Sequence, residues 1–328
     1  MFAKKNKEKM IKIGLIGSGC CVKSHIKILK DLPGFELVGF FNPDPQKAKE
    51  TLVEFNIHPF KSPKELFNFT DAIDIPRSTN SYFNLTVNAL KNSKHIFIES
   101  LKTNSLEEAD HLIKLAKEAN VTVQVGQTER FNPAFNAAKS FFNNPMFIEI
   151  IRQNKFNSCS FDDHIVLSSM IHDIEVVLSI IKSNIKKVSA NGVSIVSNSS
   201  DIANARIEFD NGCVATLTTN RISMKDGLKC RIYQQGEVIF VDFKNKKTKI
   251  AKLKNIKNNT HPINNAKKEI YLEKPEIKSN NSIKDELTSF QNAIRNNSTP
   301  LGNIEDGNKA LYLAHKILEM INRTVPRF

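Results

Sequence analysis

Near its start the chain carries residues that could hold an anion without any charged side chain: Gly17-Ser18-Gly19-Cys20-Cys21-Val22, between a short apolar run and a helix-period segment. In that setting Gly17 allows a tight turn, and Gly19 allows a pyrophosphate to approach the helix N-terminus, where unpaired N–H groups point at the anion. The chemistry implied is dinucleotide binding. Val22 stands where a third glycine would let helix and sheet pack closely, which predicts a somewhat displaced helix and weaker cofactor affinity. At the end of the second strand, where an acidic residue usually takes the ribose hydroxyls, the chain has Asn42. A neutral amide can still bond a ribose and repels a 2′-phosphate less, so NAD and NADP both remain open. Ser78, Thr79 and Glu99 join the candidate cofactor-binding residues. Nothing nearby marks Cys20 or Cys21 as a nucleophile, and both are expected to lend only backbone amides.

Such a turn needs a strand before it and a helix after it, and the surrounding pattern supplies them. Strands are predicted at Ile11–Gly17, Glu36–Phe41, Ala72–Ile75, His95–Glu99 and Val121–Val125. Helices are predicted between them at Val22–Leu32, Pro43–Phe55, Asn80–Lys91 and Leu106–Ala119, the last opened by a Ser105–Glu108 capping box. Alternation of this kind calls for parallel strands joined by right-handed crossovers. Beyond Gln127 the pattern changes: helices at Pro133–Phe142 and Ser169–Ile181, then strands at Val188–Val196, Ile202–Phe209, Cys213–Thr219, Cys230–Gln234 and Val238–Phe243. Asp210-Asn211-Gly212 is a hairpin signal, since Asn and Gly tolerate positive φ. Two helices close the chain, 283–296 and 305–322, the second with Asn303 or Ile304 placed to cap it. The expected fold is α/β: a Rossmann doubly wound parallel sheet in residues 1–127, then an α+β domain in 128–328 with a large, mainly antiparallel open sheet. The last two helices are expected to pack back near the first domain.

Composition narrows the function classes. The net charge of +13 is local: residues 1–12 carry +4 and residues 244–278 carry +8. With nine Arg against 38 Lys and a single aromatic, Tyr271, the basic stretch from Lys244 to Lys278 makes a poor base-reading surface and reads as a solvated loop. No nucleic-acid partner is expected. The five cysteines are scattered, without Cys-x-x-Cys or paired histidines, so reduced thiols and no metal follow. Apolar runs fall well short of the ~20 residues a membrane helix needs, and the start lacks an apolar signal core. The expectation is a cytoplasmic protein without membrane contact.

Taken together the motifs resemble the glucose–fructose oxidoreductase, inositol dehydrogenase and rhizopine-catabolism family (Gfo/Idh/MocA). The landmarks are Gly17-x-Gly19 with His25, Asp74-Ile75, His95-Ile96-Phe97-Ile98-Glu99, Leu106-Glu107-Glu108-Ala109, Val125 to Pro133, Met170-Ile171-His172-Asp173-Ile174 and Ile304-Glu305-Asp306-Gly307. The Glu129-Arg130-Phe131-Asn132-Pro133 stretch looks most like members acting on nucleotide sugars. The resemblance implies an oxidoreductase passing a hydride between a sugar or nucleotide sugar, for instance one like UDP-N-acetylglucosamine, and NAD or NADP. It also implies a Glu-Lys-Pro motif at the end of the strand predicted at His95–Glu99 and an Asp-x-x-x-His pair on a second-domain helix.

Here Glu99 matches the glutamate, but Ser100 replaces the lysine and Leu101 the proline; His172 matches the histidine, but Ser168 replaces the aspartate. The candidate catalytic positions are therefore His172, Ser100 and Ser168, the last two degenerate. A serine hydroxyl cannot serve as a proton reservoir near neutral pH, whereas His172 can act as a base. Losing one positioned acid or base costs ~10²- to 10⁴-fold, so a catalytically degenerate dinucleotide-binding or structural protein is the competing reading. Lys102 could substitute if the turn bends differently. Arg130 and Asn132 are the candidate substrate-binding residues, and His25 is expected to pack or hydrogen-bond. The open sheet is expected to pair with a second copy, giving a homo-oligomer.

Overall fold

The computed structural model describes residues 9–17, 20–76, 82–101, 103, 105–156, 164–255 and 268–324. Ser18, Gly19, Ser78, Thr79 and Lys102 lie outside the described residues. The chain forms two compact units: one comprises residues up to Thr128 together with Asn281–Leu311, the other Glu129–Asn280 together with residues from Tyr312 on.

Among the described residues the first unit holds a parallel sheet of β1 (Ile11–Ile16), β2 (Phe35–Phe41), β3 (Ala72–Ile75), β4 (His95–Ile98) and β5 (Val123–Val125), in the order β2-β1-β3-β4-β5. The strands are apolar on both faces, as helices on each side require; β3 is buried throughout. The crossovers are α1 (Cys20–Asp31), α2 (Pro45–Phe55), α3 (Pro63–Phe69), α4 (Tyr82–Lys91) and α5 (Leu106–Ala119). Asp44 caps α2 by accepting from the N–H groups of Gln46 (3.0 Å) and Lys47 (3.2 Å). Ser105 caps α5 through the N–H of Glu108. The core joins Ile13 and Leu15 of β1, Val22, Ile26 and Leu29 of α1, and Leu287 and Phe290 of α8 (Ser282–Asn296). Helix α3 was not expected from sequence; Ser62 caps it and it buries Leu66 and Phe67, but at seven residues it is too short to repeat an apolar helical period.

The second unit is built on an eight-stranded sheet, in the order β13-β12-β11-β10-β6-β9-β8-β7. Its strands are β6 (Phe147–Lys155), β7 (Ile185–Val193), β8 (Ile202–Phe209), β9 (Val214–Ser223), β10 (Gly227–Gln234), β11 (Glu237–Asp242), β12 (Lys247–Asn255) and β13 (Lys268–Glu273). All neighbouring pairs are antiparallel except β6 with β9. Helices α6 (Pro133–Ala138) and α7 (Ile171–Ile180) pack on one face. Helix α9 (Ile304–Thr324) opens with Asn303 accepting from the N–H of Asp306 at 2.7 Å.

Three expectations are corrected. The basic stretch from Lys244 is not simply a solvated loop: β12 places Thr248 and Ile250 inward, and Lys252 pairs with Glu237 (3.5 Å) and Glu273 (3.0 Å), so the charges hid a period of two. Strand β6, unforeseen, lies in the interior of the sheet. Strand β7 ends at Val193 rather than Val196, because the Asp201 carboxylate collects the N–H groups of Ile195 (2.7 Å), Val196 (2.7 Å) and Ser197 (3.2 Å) and takes them from the ladder.

Candidate functional site

In the first unit the phosphate turn leaves β1 at Gly17, whose φ of +145° favours glycine and whose N–H donates to the carbonyl of Phe41 at 3.1 Å. A Cβ there would sit 3.3 Å from Cγ2 of Val22, itself packed in the core. Helix α1 starts at Cys20, two residues before the predicted Val22, so the amides of its first turn begin at the cysteines. Cys21 is half-exposed and carries no disulfide. Asn42 is buried, and its Oδ1 accepts the N–H of Asp44 at 3.0 Å, leaving the amide nitrogen as the group available to a ribose.

The carboxyl end of the sheet concentrates buried polar groups. His25 Nδ1 lies 2.8 Å from Asp74 Oδ2, both side chains nearly inaccessible. Burial disfavours the imidazolium, but the Asp74 charge and hydrogen bond, with Glu99 and Glu286 beyond, outweigh it and raise the pKa of His25. Asp74 Oδ1 has no hydrogen-bond partner among the described residues, nor has the Oγ of Ser100, which is 6% exposed. A Cβ on Gly126 would meet the Glu99 carbonyl at 2.6 Å, so the backbones following β4 and β5 touch. Glu286 of α8, missed in the sequence, accepts from the N–H of Gln127 and from the hydroxyl of Thr128 (3.2 Å), fixing the exit of β5. Its signal was a charge beside Leu287 and Phe290 on a buried helix face. A positive-φ glycine at the end of β1, a helix that starts at Cys20 and orphaned polar atoms at the carboxyl edge of a parallel sheet fit a dinucleotide.

In the second unit a charged cluster forms where α7 meets β6 and β9. Arg152 of β6 donates from Nε to both Asp173 oxygens (3.0 and 3.1 Å) and from Nη2 to Asp173 (2.8 Å) and Glu129 (2.7 Å). Burial alone would push the Glu129 carboxyl up, but Arg152, with His172 beyond, holds it at about 2. Thr219, opposite Arg152 in the ladder, donates to Asp173 at 3.4 Å. His172 sits on the first turn of α7 with its Nδ1 3.2 Å from Glu175 Oε2. Burial lowers the pKa of His172, yet the Glu175 hydrogen bond and the Glu129 charge leave it raised.

Ser168 lies in a π-helical turn, Val166–Met170, ahead of α7, where an uninterrupted α-helix was predicted from Ser169. Arg130 stands in a 3-10 turn, Thr128–Phe131, and its charge acts on both Glu175 and Lys139. Asn132 caps α6: its Oδ1 accepts from Ala134 (2.9 Å) and its Nδ2 donates to the Phe243 carbonyl (3.1 Å), so both ends of the amide are engaged within the protein. Glu129, Arg152 and Glu175 were given no role from sequence, although Glu129 lies within the Val125–Pro133 motif and Glu175 directly follows Met170–Ile174. Among the described residues no group of His, Cys, Asp and Glu could hold a metal, and no helix is long and apolar enough to cross a membrane.

Residues 11–127 match the family model GFO_IDH_MocA, described as an oxidoreductase family with an NAD-binding Rossmann fold. The UDP-N-acetylglucosamine 3-dehydrogenase of Acidithiobacillus ferrooxidans is 29% identical over 236 residues, covering 72% of this chain and 75% of that one. The scyllo-inositol 2-dehydrogenase (NAD(+)) of Bacillus subtilis is 28% identical over 236 residues, covering 66% and 69%. A solved structure of the Acidithiobacillus ferrooxidans enzyme superposes with a TM-score of 0.89 at 25% identity, covering 97% of this chain and 99% of that one.

Proposed function

Because the chain belongs to the Gfo/Idh/MocA family of NAD-binding oxidoreductases, we propose that it passes a hydride between a sugar or nucleotide-sugar carbon and the nicotinamide of NAD or NADP. The observation that carries this reading is His172, held at Nδ1 by a buried carboxylate within a charged cluster of the second unit. Nicotinamide, when bound, accepts or returns the hydride. The chain's own part is to hold the dinucleotide on the turn from Gly17 to Cys21, with Asn42, Ser78, Thr79 and Glu99 as further contacts. His172 Nε2 takes the proton of the sugar hydroxyl as its C–H bond gives up the hydride.

Arg130 lies toward the substrate in this reading, and Asn132, with both ends of its amide engaged within the protein, holds the start of α6 beside it. The Arg130 guanidinium, with Lys139 donating to its backbone carbonyl at 2.9 Å, supplies positive charge suited to a nucleotide-sugar diphosphate. Ser100 occupies the usual lysine position and Ser168 the usual aspartate position, so His172 carries the proton chemistry. Titration with NADH and NADPH, read on the cofactor's own emission because the chain has no Trp, tests the first half of the proposal. Saturable binding of either is expected; binding of neither refutes it.

A second reading is favoured by Ser100, whose buried hydroxyl replaces an ionisable group: a dinucleotide-binding protein of the same family without turnover. Cofactor binding without oxidation of any UDP-sugar or inositol would select it. We also propose that a second copy of the chain covers the open face of the large sheet. There Leu253 faces Ile270 across the ladder, with Leu272 and Phe240 on the same face, all four exposed, while Ile239, Val241 and Ile250 fill the other face. Light scattering should give a dimer or larger, reduced to monomer by Leu253→Asp with Ile270→Asp.

A further inference from the structure

We propose that Glu175 is the carboxylate that orients His172 and sets its tautomer, a role for which Ser168, four residues upstream, has no charge. Its catalytic consequence rests on the oxidoreductase reading above; its geometry does not. Residues three apart on an α-helix share a face, and Glu175 follows His172 by three within α7. The Glu175 side chain is 2% exposed and that of His172 23%, with Oε2 and Nδ1 3.2 Å apart. A buried carboxylate is thus committed to one ring nitrogen while the ring itself stays partly open.

Upstream of His172 the arrangement is different. The Ile171 N–H reaches back to the Val166 carbonyl, five residues away, so this segment is in π rather than α register. A residue four before His172 is therefore out of step with it. The Ser168 N–H bonds to the His164 carbonyl at 2.9 Å, and the neighbouring Ser169 Oγ accepts from Asn154 Nδ2 at 3.1 Å. The upstream turn offers His172 no carboxylate.

Among the described residues, the other charges that act on the imidazole have partners or act elsewhere. Glu129, from the 3-10 turn, and Asp173, the next residue on α7, are both bound to Arg152 of β6, and Arg130 bears on Glu175. Glu175 is the one carboxylate in this group hydrogen-bonded to His172. With Nδ1–H donating to Glu175, neutral His172 keeps its lone pair on Nε2, the nitrogen free to accept a proton.

The test is a pH titration of the full-length ¹⁵N-labelled chain by long-range ¹H–¹⁵N correlation, without cofactor or substrate. Neutral His172 is expected to carry its proton on Nδ1, and Glu175→Gln is expected to lower the titration midpoint by about one pH unit or more. A neutral imidazole protonated on Nε2, or a midpoint unmoved in Glu175→Gln, overturns the proposal. The tautomer is read on the wild-type chain, so the test survives even if the variant does not fold. Where a sugar is turned over, the acid limb of kcat/KM should move down with the midpoint in Glu175→Gln, and a limb that stays in place counts against the role. Absence of turnover with any sugar, alongside an Nδ1–H tautomer, refutes the oxidoreductase reading while leaving Glu175 in its place.

Discussion

Replacing Arg152 by methionine keeps most of the volume and removes the one cation that binds both Glu129 and Asp173. Four hydrogen bonds of 2.7 to 3.1 Å are lost. Asp173, whose side chain is 1% exposed, and Glu129, at 19%, are left beside each other without their counter-ion. Breaking a buried pair from one side costs ~3–5 kcal/mol, because the stranded charge has lost water and gained nothing.

The pH dependence fixes the cause. In the wild type Glu129 is held at about 2, so its contribution is present above its unfolded value and lost only as pH falls toward about 2. Burial already holds Asp173 above its unfolded value in the wild type against the pull of Arg152; in Arg152→Met it rises further and Glu129 rises above its own unfolded value, so the folded form binds extra protons and the deficit shrinks as pH falls from about 7 toward about 5. Urea unfolding followed by circular dichroism at those two conditions measures it. A deficit under ~1 kcal/mol near neutrality, or one that does not shrink with acid, would refute the electrostatic account of this cluster.

Gly17→Ala places a side chain at a φ of +145°, 3.3 Å from Val22, and should weaken NADH binding at least ~10-fold by displacing the turn; equal affinity would remove Gly17 from the cofactor site. Ser100→Ala deletes a buried hydroxyl that has no partner among the described residues. Thermal stability should hold or rise by up to ~1 kcal/mol, and a loss above that would show a partner for Oγ. His25 has a raised pKa, so its stabilisation is complete below its unfolded value and fades as pH rises through the folded one. The wild type should therefore lose stability as pH rises above the ordinary imidazole value of 6.5, by a step that His25→Gln diminishes, as unfolding curves would show.

Legibility followed how locally each feature is encoded. The first five strands and the α5 capping serine were readable because their period and caps lie within a dozen residues. Strand β12 was hidden because its lysines dominate its composition while Thr248 and Ile250 alone face inward. The end of β7 depended on Asp201, whose three backbone bonds no periodicity signals. Of the site, Gly17 and His172 could be named from their motifs. Arg152 could not, since it meets Asp173 only when β6 enters the sheet interior, and Glu175 read as one more polar residue on an apolar helix.

The proposed step, in which His172 takes a proton from a sugar hydroxyl while nicotinamide takes the hydride, is read directly as cofactor reduction. The purified chain is mixed with NAD⁺ or NADP⁺ and UDP-N-acetylglucosamine, other UDP-sugars or inositols, and the absorbance of reduced nicotinamide is followed. Reduction that falls ~10²-fold or more in His172→Ala, with cofactor binding unchanged, is the predicted result. Reduction that His172→Ala leaves intact, or none with any of these substrates, would contradict it.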